Sequence, residues 1–267
     1  MPAHHHHHDA TWGRSRITEV KECAPSILMF TIHAPLLVQS ARPGQFVVIR
    51  IDERGERIPL TIADMDPVAG TLTIVFQAVG ASTQRLSLLK AGDSVADLVG
   101  PLGVPSEIDR FGHVVCIGGG VGIAPVYPIM KALKQAGNSI TCIVGARNKE
   151  LLILREEVEA IADRTLYTTD DGTFGAKGFV TDALQGVIAQ GTAIDRVVAI
   201  GPVIMMRAVA RATRKHDIPT IVSLNSIMVD ATGMCGACRI SVGEKTRFVC
   251  VDGPEFDAHQ VDFDELL

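Results

Sequence analysis

The chain has 267 residues, of which 47% are apolar and 21% are charged, so it can bury a sizeable core. Its net charge is −5, and it has no long basic run of the kind that contacts phosphate backbones. This composition predicts a globular protein with no nucleic-acid partner.

The first 14 residues contain five consecutive histidines, and we interpret them as an expression tag that takes no part in the fold. The roughly 250 remaining residues suffice for about two domains. Residues 114–130 are uncharged and nearly long enough to span a membrane, but their four glycines and two prolines favour a strand, a turn and a helix. Since no signal peptide is recognisable, we expect a cytoplasmic protein with no membrane partner.

Residues 15–109 contain short runs rich in Val, Ile, Phe and Thr, separated by turn residues. Several short strands within about 90 residues predict an antiparallel β-barrel. The clearest strands are predicted at 27–32, 45–51 and 71–78, and one short helix at 83–90.

Strands and helices alternate between residues 110 and 225, which predicts a parallel sheet in an α/β domain. The strands are predicted at 114–117, 140–145, 197–200 and 219–224, and the helices at 126–135, 151–162 and 202–214. Residues 226–267 have few apolar runs and contain three cysteines, so we expect a small separate module there.

A glycine-rich segment at 118–125 follows a predicted strand and opens a predicted helix. Glycines at such a position let the backbone approach a phosphate, and the helix N-terminus adds N–H donors. The spacing departs from the dinucleotide pattern G-x-G-x-x-G, so a tight turn without a ligand explains the segment as well. Asp170 and Asp171 lie in a glycine-bounded turn, either as a solvated loop or as part of a site.

Two segments of the predicted barrel combine charge with hydroxyl groups, 57–61 and 75–83. Such groups suit a flavin ring and a pyrophosphate. An edge strand containing Pro59, followed by a helix cap at Ser82 or Thr83, accounts for the same residues.

The most specific pattern is Asp230-x4-Cys235-x2-Cys238-x11-Cys250. Plant-type iron–sulfur proteins use C-x4-C-x2-C and a distal cysteine, and here an aspartate replaces the first cysteine. The alternative is a structural zinc site, for which His259 is the only histidine nearby. We expect the isolated Cys23, Cys116 and Cys142 to be buried apolar residues and not disulfide partners.

Taken in order, these patterns resemble the ferredoxin–NADP reductase superfamily over residues 15–267. Within it, the chain is most similar to the small subunits of NADH-dependent ferredoxin:NADP oxidoreductase and of sulfide dehydrogenase. Electron-transfer subunits of type B dihydroorotate dehydrogenase are related, but they carry a fourth cysteine where this chain has Asp230. That departure favours the first group.

The resemblance implies an FAD-binding β-barrel, an NAD-binding α/β domain and a C-terminal [2Fe–2S] module, with no catalytic acid or base. The dihydroorotate relatives often have Arg-Arg-Pro-x-Ser, whereas here Ile58 replaces the second arginine and Thr61 replaces the serine. By the resemblance, the FAD site comprises Arg57, Pro59, Leu60, Thr61, Val75, Phe76, Gln77, Gly80, Ser82 and Thr83. The NAD(H) site comprises Gly119, Gly120, Val121, Gly122, Ile123, Ala124, Pro125, Gly145, Ala146, Arg147, Asp170, Asp171, Gly172, Gly201 and Pro202. The cluster ligands are Asp230, Cys235, Cys238 and Cys250.

The implied function is electron transfer between NADH, FAD and the cluster, on to a larger flavoprotein or iron–sulfur subunit in a heterodimer or larger assembly. The alternatives are a dihydroorotate dehydrogenase electron-transfer subunit and a non-enzymatic redox-sensing or zinc-stapled module. The acidic loop at 170–171 predicts a preference for NADH over NADPH. Apolar residues at the end of the chain predict a partner-binding surface: Phe256, Val261, Phe263, Leu266 and Leu267.

Overall fold

The computed structural model describes residues 15–267, and the expected tag at 1–14 lies outside them. Two sheets and a small hairpin make up the described strands. No helix in this range is long and apolar enough to cross a membrane.

The first sheet is a six-stranded antiparallel barrel in the order β1-β2-β5-β4-β3-β6. Ile17 in the first strand exchanges backbone hydrogen bonds with Gly92 and Asp93, just before the last strand, and this pairing closes the barrel. Phe30 and Phe76 pack edge to face inside it, 5.0 Å between ring centroids. The elements are β1 (Arg16–Ala24), β2 (Ile27–His33), α1 (Pro35–Ser40), β3 (Phe46–Arg50), β4 (Ile58–Asp66), β5 (Thr71–Gln77), α2 (Ala81–Leu86) and β6 (Asp97–Leu102).

The second sheet has seven strands in the order β10-β9-β8-β7-β11-β12-β15, all parallel except the last. Its central strands are buried apolar runs, as expected for a parallel sheet covered on both faces. The elements are β7 (His113–Gly119), α3 (Ile123–Gln135), β8 (Ser139–Ala146), α4 (Arg155–Glu159), β9 (Arg164–Thr169), β10 (Ala176–Lys177), α5 (Val180–Ala189), β11 (Arg196–Ile200), α6 (Val203–Arg214) and β12 (Thr220–Ser223).

The C-terminal segment folds back onto this second sheet. It contains β13 (Arg239–Val242), β14 (Lys245–Phe248), α7 (Val249–Asp252) and β15 (Glu255–Asp257), and β15 pairs antiparallel with β12. Its buried residues, including Ile240 and Phe256, belong to the same apolar core as Val115 and Val222 of the parallel sheet. We keep 15–109, 110–225 and 226–267 as the proposed division, with the last segment packed on the second.

Two expectations from the sequence are corrected by the structure. The helix expected at 151–162 is reduced to α4, because Leu154 has a φ of 53° in the left-handed region and interrupts the helix. The apolar C-terminal residues do not form a partner surface, since Phe263 is 7% exposed and packs in the core with Phe256 and Val261. Leu267 is the exception, at 59% exposure.

Candidate functional site

The glycine-rich segment forms the turn between β7 and α3. A Cβ at Gly122 would clash with the carbonyl of Ile200, so this glycine lets two strand ends pack closely. Gly120 differs, because it has a φ of 57° and its missing Cβ faces open space with nothing within 4 Å. Its backbone is therefore exposed to an approaching ligand, in front of the N-terminus of α3.

The other residues expected to bind a nucleotide lie at the carboxyl ends of neighbouring strands. Gly145, Ala146 and Arg147 end or follow β8, and 170–172 follow β9. Gly201 and Pro202 follow β11 and touch the glycine turn, since a Cβ at Gly119 would lie 3.1 Å from Pro202 Cδ. The structure thus brings these segments to one edge of the sheet, where open α/β sheets bind their ligands.

The acidic turn after β9 is held largely by its own hydrogen bonds. The carboxylate of Asp171 accepts from the hydroxyl of Thr173 at 2.7 Å and from its amide at 2.9 Å. These bonds, the hydroxyl first, hold the pKa of Asp171 below its usual range. Because Asp171 is occupied in the turn, the exposed Asp170 is the better placed of the two to repel an additional phosphate.

The two segments expected to bind flavin face one another across a break in the barrel. β4 pairs with β5 only from Ile62 onward, whereas residues 58–61 pair with β3 alone. Residues 75–77 of β5 likewise pair only with β2. The facing edges of 59–61 and 75–77 therefore have no ladder partner among the described strands, and we call this break the β4–β5 gap. Pro59 fits here because it has no N–H to donate.

The surroundings of the β4–β5 gap are polar at one end and apolar at the other. Gly80 is the residue before α2, and its amide donates to Thr83 Oγ1 at 3.1 Å. The hydroxyl of Ser82 donates to Glu56, which precedes the exposed Arg57. The side chains of Val75 and Phe76 are buried in apolar cores. They form the wall of the site, while the half-buried Gln77 remains accessible to a ligand.

The loop between β12 and β13 carries the residues expected to bind the cluster. Cys238 and Cys250 are buried with their sulfur atoms 3.2 Å apart, whereas Cys235 is exposed. Asp230 accepts from the amide of Thr232 at 2.8 Å and from that of Cys235 at 2.7 Å, which lowers its pKa. Over residues 15–267, no three His, Cys, Asp or Glu side chains are already arranged around a metal position.

The donor chemistry of this loop nonetheless fits an iron–sulfur centre. Burial, followed by the neighbouring Cys238, raises the pKa of Cys250 to about 12. The two sulfur atoms are close enough to bind one metal centre, and the thiolate is the form of cysteine that binds a metal. Zinc fits less well. His259 is the fourth ligand considered for zinc, and its Nε2 atom already forms a hydrogen bond with the hydroxyl of Thr213 at 3.0 Å.

One feature of the cluster loop was missed in the sequence. Ile227, Val229 and Met234 are largely exposed, although the first two belong to an apolar run of the sequence. Val251 on α7 packs beside Gly233 and is also partly exposed, which extends this apolar surface around the exposed Cys235. The hydrophobicity of these residues alone does not indicate whether their side chains face the core or the solvent.

Comparison with known proteins agrees with this geometry. Residues 116–211 match the oxidoreductase NAD-binding domain, and residues 225–262 match the iron–sulfur cluster binding domain of dihydroorotate dehydrogenase B. A homolog of the dihydroorotate dehydrogenase B electron-transfer subunit from Thermotoga maritima is 51% identical over 95% of this chain and 89% of that protein. The corresponding subunit from Geobacillus thermodenitrificans is 33% identical over 93% and 98%.

A solved structure of NADH-dependent reduced ferredoxin-NADP oxidoreductase, studied for flavin-based electron bifurcation, is 51% identical to this chain. It superimposes with a TM-score of 0.90 over 94% of this chain and 91% of that one. The barrel, parallel sheet and cluster loop define a flavin- and NAD-dependent oxidoreductase of the ferredoxin-reductase type. The chain belongs to the family of dihydroorotate dehydrogenase B electron-transfer subunits and their homologs.

These findings confirm the fold class and the predicted function at the level of the family. The chain is an NAD-binding electron-transfer subunit that uses FAD and a [2Fe–2S] cluster. The match to an iron–sulfur domain also decides against the zinc-stapled alternative.

The glycine turn yields a test that separates ligand binding from backbone strain. Gly120→Ala should raise the Kd for NADH about tenfold or more, equivalent to about 1.4 kcal/mol, because the new methyl group occupies the open face of the turn. Gly191 is the matched control, since it has a φ of 73° and also faces open space, but lies away from the site after α5. Both changes should cost about 1 kcal/mol of stability in urea titrations. Equal NADH affinity in the two variants, measured by calorimetry, would contradict the assignment.

Proposed function

We propose that this chain is the NADH-oxidising subunit of a complex of the NADH-dependent ferredoxin:NADP oxidoreductase type. The observation that carries the proposal is the contact between the β4–β5 gap and the nucleotide edge. β5 packs against the turn Gly120–Gly122, and Val75 shares an apolar core with Ile123. A flavin ring in the gap and a nicotinamide at the turn would therefore be neighbours. Asp230, in place of a cysteine, favours this complex over a dihydroorotate dehydrogenase.

The residues have distinct tasks in this proposal. The unpaired edge at 59–61 and Gln77 bind the flavin ring, while Arg57 and 80–83 bind its phosphates and ribityl chain. The glycine turn and the loops after β8, β9 and β11 orient the nicotinamide nucleotide. FAD held by these residues would supply the chemistry that couples two-electron hydride transfer from NADH to one-electron transfer toward the cluster. No side chain of the site is assigned as an acid or a base.

The proposed ligand set is Asp230, Cys235, Cys238 and Cys250. Cys238 and Cys250 would form the buried side of the centre and Cys235 the exposed side, while Asp230 is half-buried. The hydrogen bonds that Asp230 accepts from two backbone amides do not preclude iron ligation, because a carboxylate has about four acceptor positions. Asp230 can therefore stabilise the loop and bind iron at the same time.

The direct test is anaerobic stopped-flow reduction of the purified chain. NADH should bleach the flavin absorbance first and the cluster absorbance afterwards, and it should react faster than NADPH because Asp170 disfavours a further phosphate. Iron, sulfide and FAD are quantified on the same sample. Zinc in place of iron would refute the cluster assignment, and equal rates with NADPH would refute the nucleotide preference.

Substitutions at Asp230 distinguish ligation from loop stabilisation. Asp230→Cys should retain the cluster but lower its reduction potential, because a thiolate donates more electron density to ferric iron than a carboxylate does. Asp230→Ala should lose most of the iron. Asp230→Asn keeps an oxygen acceptor for one amide while weakening ligation, and it should also lose iron.

EPR-monitored redox titration and iron analysis measure both effects, with Asp262→Ala as the control because Asp262 is exposed and lies outside the loop. If Asp230→Asn keeps full occupancy at an unchanged potential, Asp230 only stabilises the loop.

We also propose that the exposed apolar surface around Cys235 contacts the partner, a larger flavoprotein or iron–sulfur subunit. This surface consists of Ile227, Val229, Met234 and Val251, and exposed apolar residues concentrated in one loop region commonly mark an interface. Its place beside the cluster would let electrons leave through it.

Met234→Asp should weaken binding of the partner about tenfold or more, because Met234 is 88% exposed and a charge there must be desolvated. Flavin reduction by NADH should stay unchanged. The control is Leu267→Asp, an exposed apolar residue outside the surface. Co-purification from the source organism, followed by titration of the separated subunits, measures the effect. Equal binding by the two variants would place the interface elsewhere.

A further inference from the structure

The barrel meets the C-terminal segment at one tight contact. The amide of Val104, just after β6, donates to the carbonyl of Gly253 at 2.7 Å. Gly103 has a φ of 79°, and a Cβ there would lie 3.0 Å from the Gly253 oxygen and 3.0 Å from Pro254 Cδ. The two backbones therefore approach so closely that no side chain fits between them.

A polar pair lies beside this contact. Ser106 Oγ donates to Glu255 Oε1 at 2.5 Å, and the amide of Ser106 donates to the carbonyl of Pro43 at 2.9 Å. Burial raises the pKa of Glu255, while the Ser106 hydroxyl and the Arg196 guanidinium oppose that rise. A partly buried carboxylate is stabilised by a partner, and here the only hydrogen-bond donor to it from a side chain of residues 15–267 comes from the segment leaving the barrel.

The contact adjoins both proposed cofactor sites. On the barrel side, the missing Cβ of Gly103 would lie 3.0 Å from the ring of Phe46, and Phe46 pairs with Thr61 at the β4–β5 gap. On the other side, Gly253 directly follows α7, which contains Cys250. A displacement at Ser106 and Glu255 would therefore change the separation of the two sites.

We propose that Ser106 and Glu255 are positioning residues that hold the flavin site and the cluster loop at the separation needed for electron transfer. This inference rests on the proposed function. The electron that leaves the reduced flavin reduces one ferric iron of the cluster, and the flavin proton goes to solvent. The rate of that step depends steeply on distance, whereas hydride transfer from NADH takes place between the barrel and the parallel sheet.

The test compares variants that remove the hydrogen bond with variants that keep it, all as holoproteins. Ser106→Ala and Glu255→Ala remove it, while Ser106→Thr and Glu255→Gln retain a donor and an acceptor. The first two should slow flavin-to-cluster transfer by about threefold to tenfold and leave NADH-to-flavin transfer unchanged in stopped flow. Hydrogen exchange at the Val104 amide should rise about tenfold to a hundredfold. The two conservative variants should behave as wild type in every measurement.

Ser106→Ala leaves the Glu255 carboxylate without its donor, and the unpaired charge could itself disturb the contact. The double variant Ser106→Ala/Glu255→Gln removes the hydrogen bond and the charge together. It should show the same slow electron transfer. Wild-type transfer rates in the variants that lack the bond would overturn the inference, as would equal slowing of the NADH-to-flavin step. Absence of FAD or iron from the wild-type chain would overturn the proposed function itself, and the inference with it.

Discussion

The antiparallel pairing of β15 with β12 is the interaction on which the arrangement of this protein depends. Three residue pairs join the last strand to the edge of the parallel sheet, with Phe256 opposite Val222 at their centre. Without that pairing, the cysteine loop would be held to the parallel sheet by side-chain packing and isolated hydrogen bonds alone. With it, Cys250 and Glu255 are held against both the nucleotide-binding sheet and the segment leaving the barrel. This strand addition thus holds the proposed cluster loop against the sheet that carries the proposed nucleotide site.

A second constraint is the incomplete pairing of the barrel. A closed barrel leaves no strand edge available, yet β4 and β5 do not pair at 59–61 and 75–77, which leaves two facing edges open. Natural proteins avoid such edges unless another group covers them. The proline at 59 and the packing of β5 against the glycine turn make this break a suitable place for a planar ring. The proposed flavin site therefore lies at a local break in the sheet pairing.

The cluster loop shows how far a ligand pattern can be interpreted. The spacing of the three cysteines identified the centre, because sulfur ligands with small residues between them have few other uses. The role of Asp230 is less directly encoded, since the same carboxylate that suits iron also accepts two backbone amides. The solvent exposure of the apolar residues around the loop could not be predicted for a related reason. Ile227 and Val229 have core-like chemistry, but positive φ at Ala231, Gly233 and Gly236 turns the following loop in ways that hydropathy does not record.

The sequence by itself predicted the order of the barrel and the parallel sheet, the glycine-rich turn and the ligand spacing of the cysteine loop, while the cofactors followed from its family resemblance. These features are local, because glycine turns, strand runs and cysteine spacing act within a few residues. Only the tertiary structure decided that 75–77 face 59–61, that Phe263 is core and Met234 is surface, and that Ser106 meets Glu255. Those contacts join segments as many as 149 residues apart. Their existence depends on strand register and on backbone packing at glycines, which no local pattern specifies.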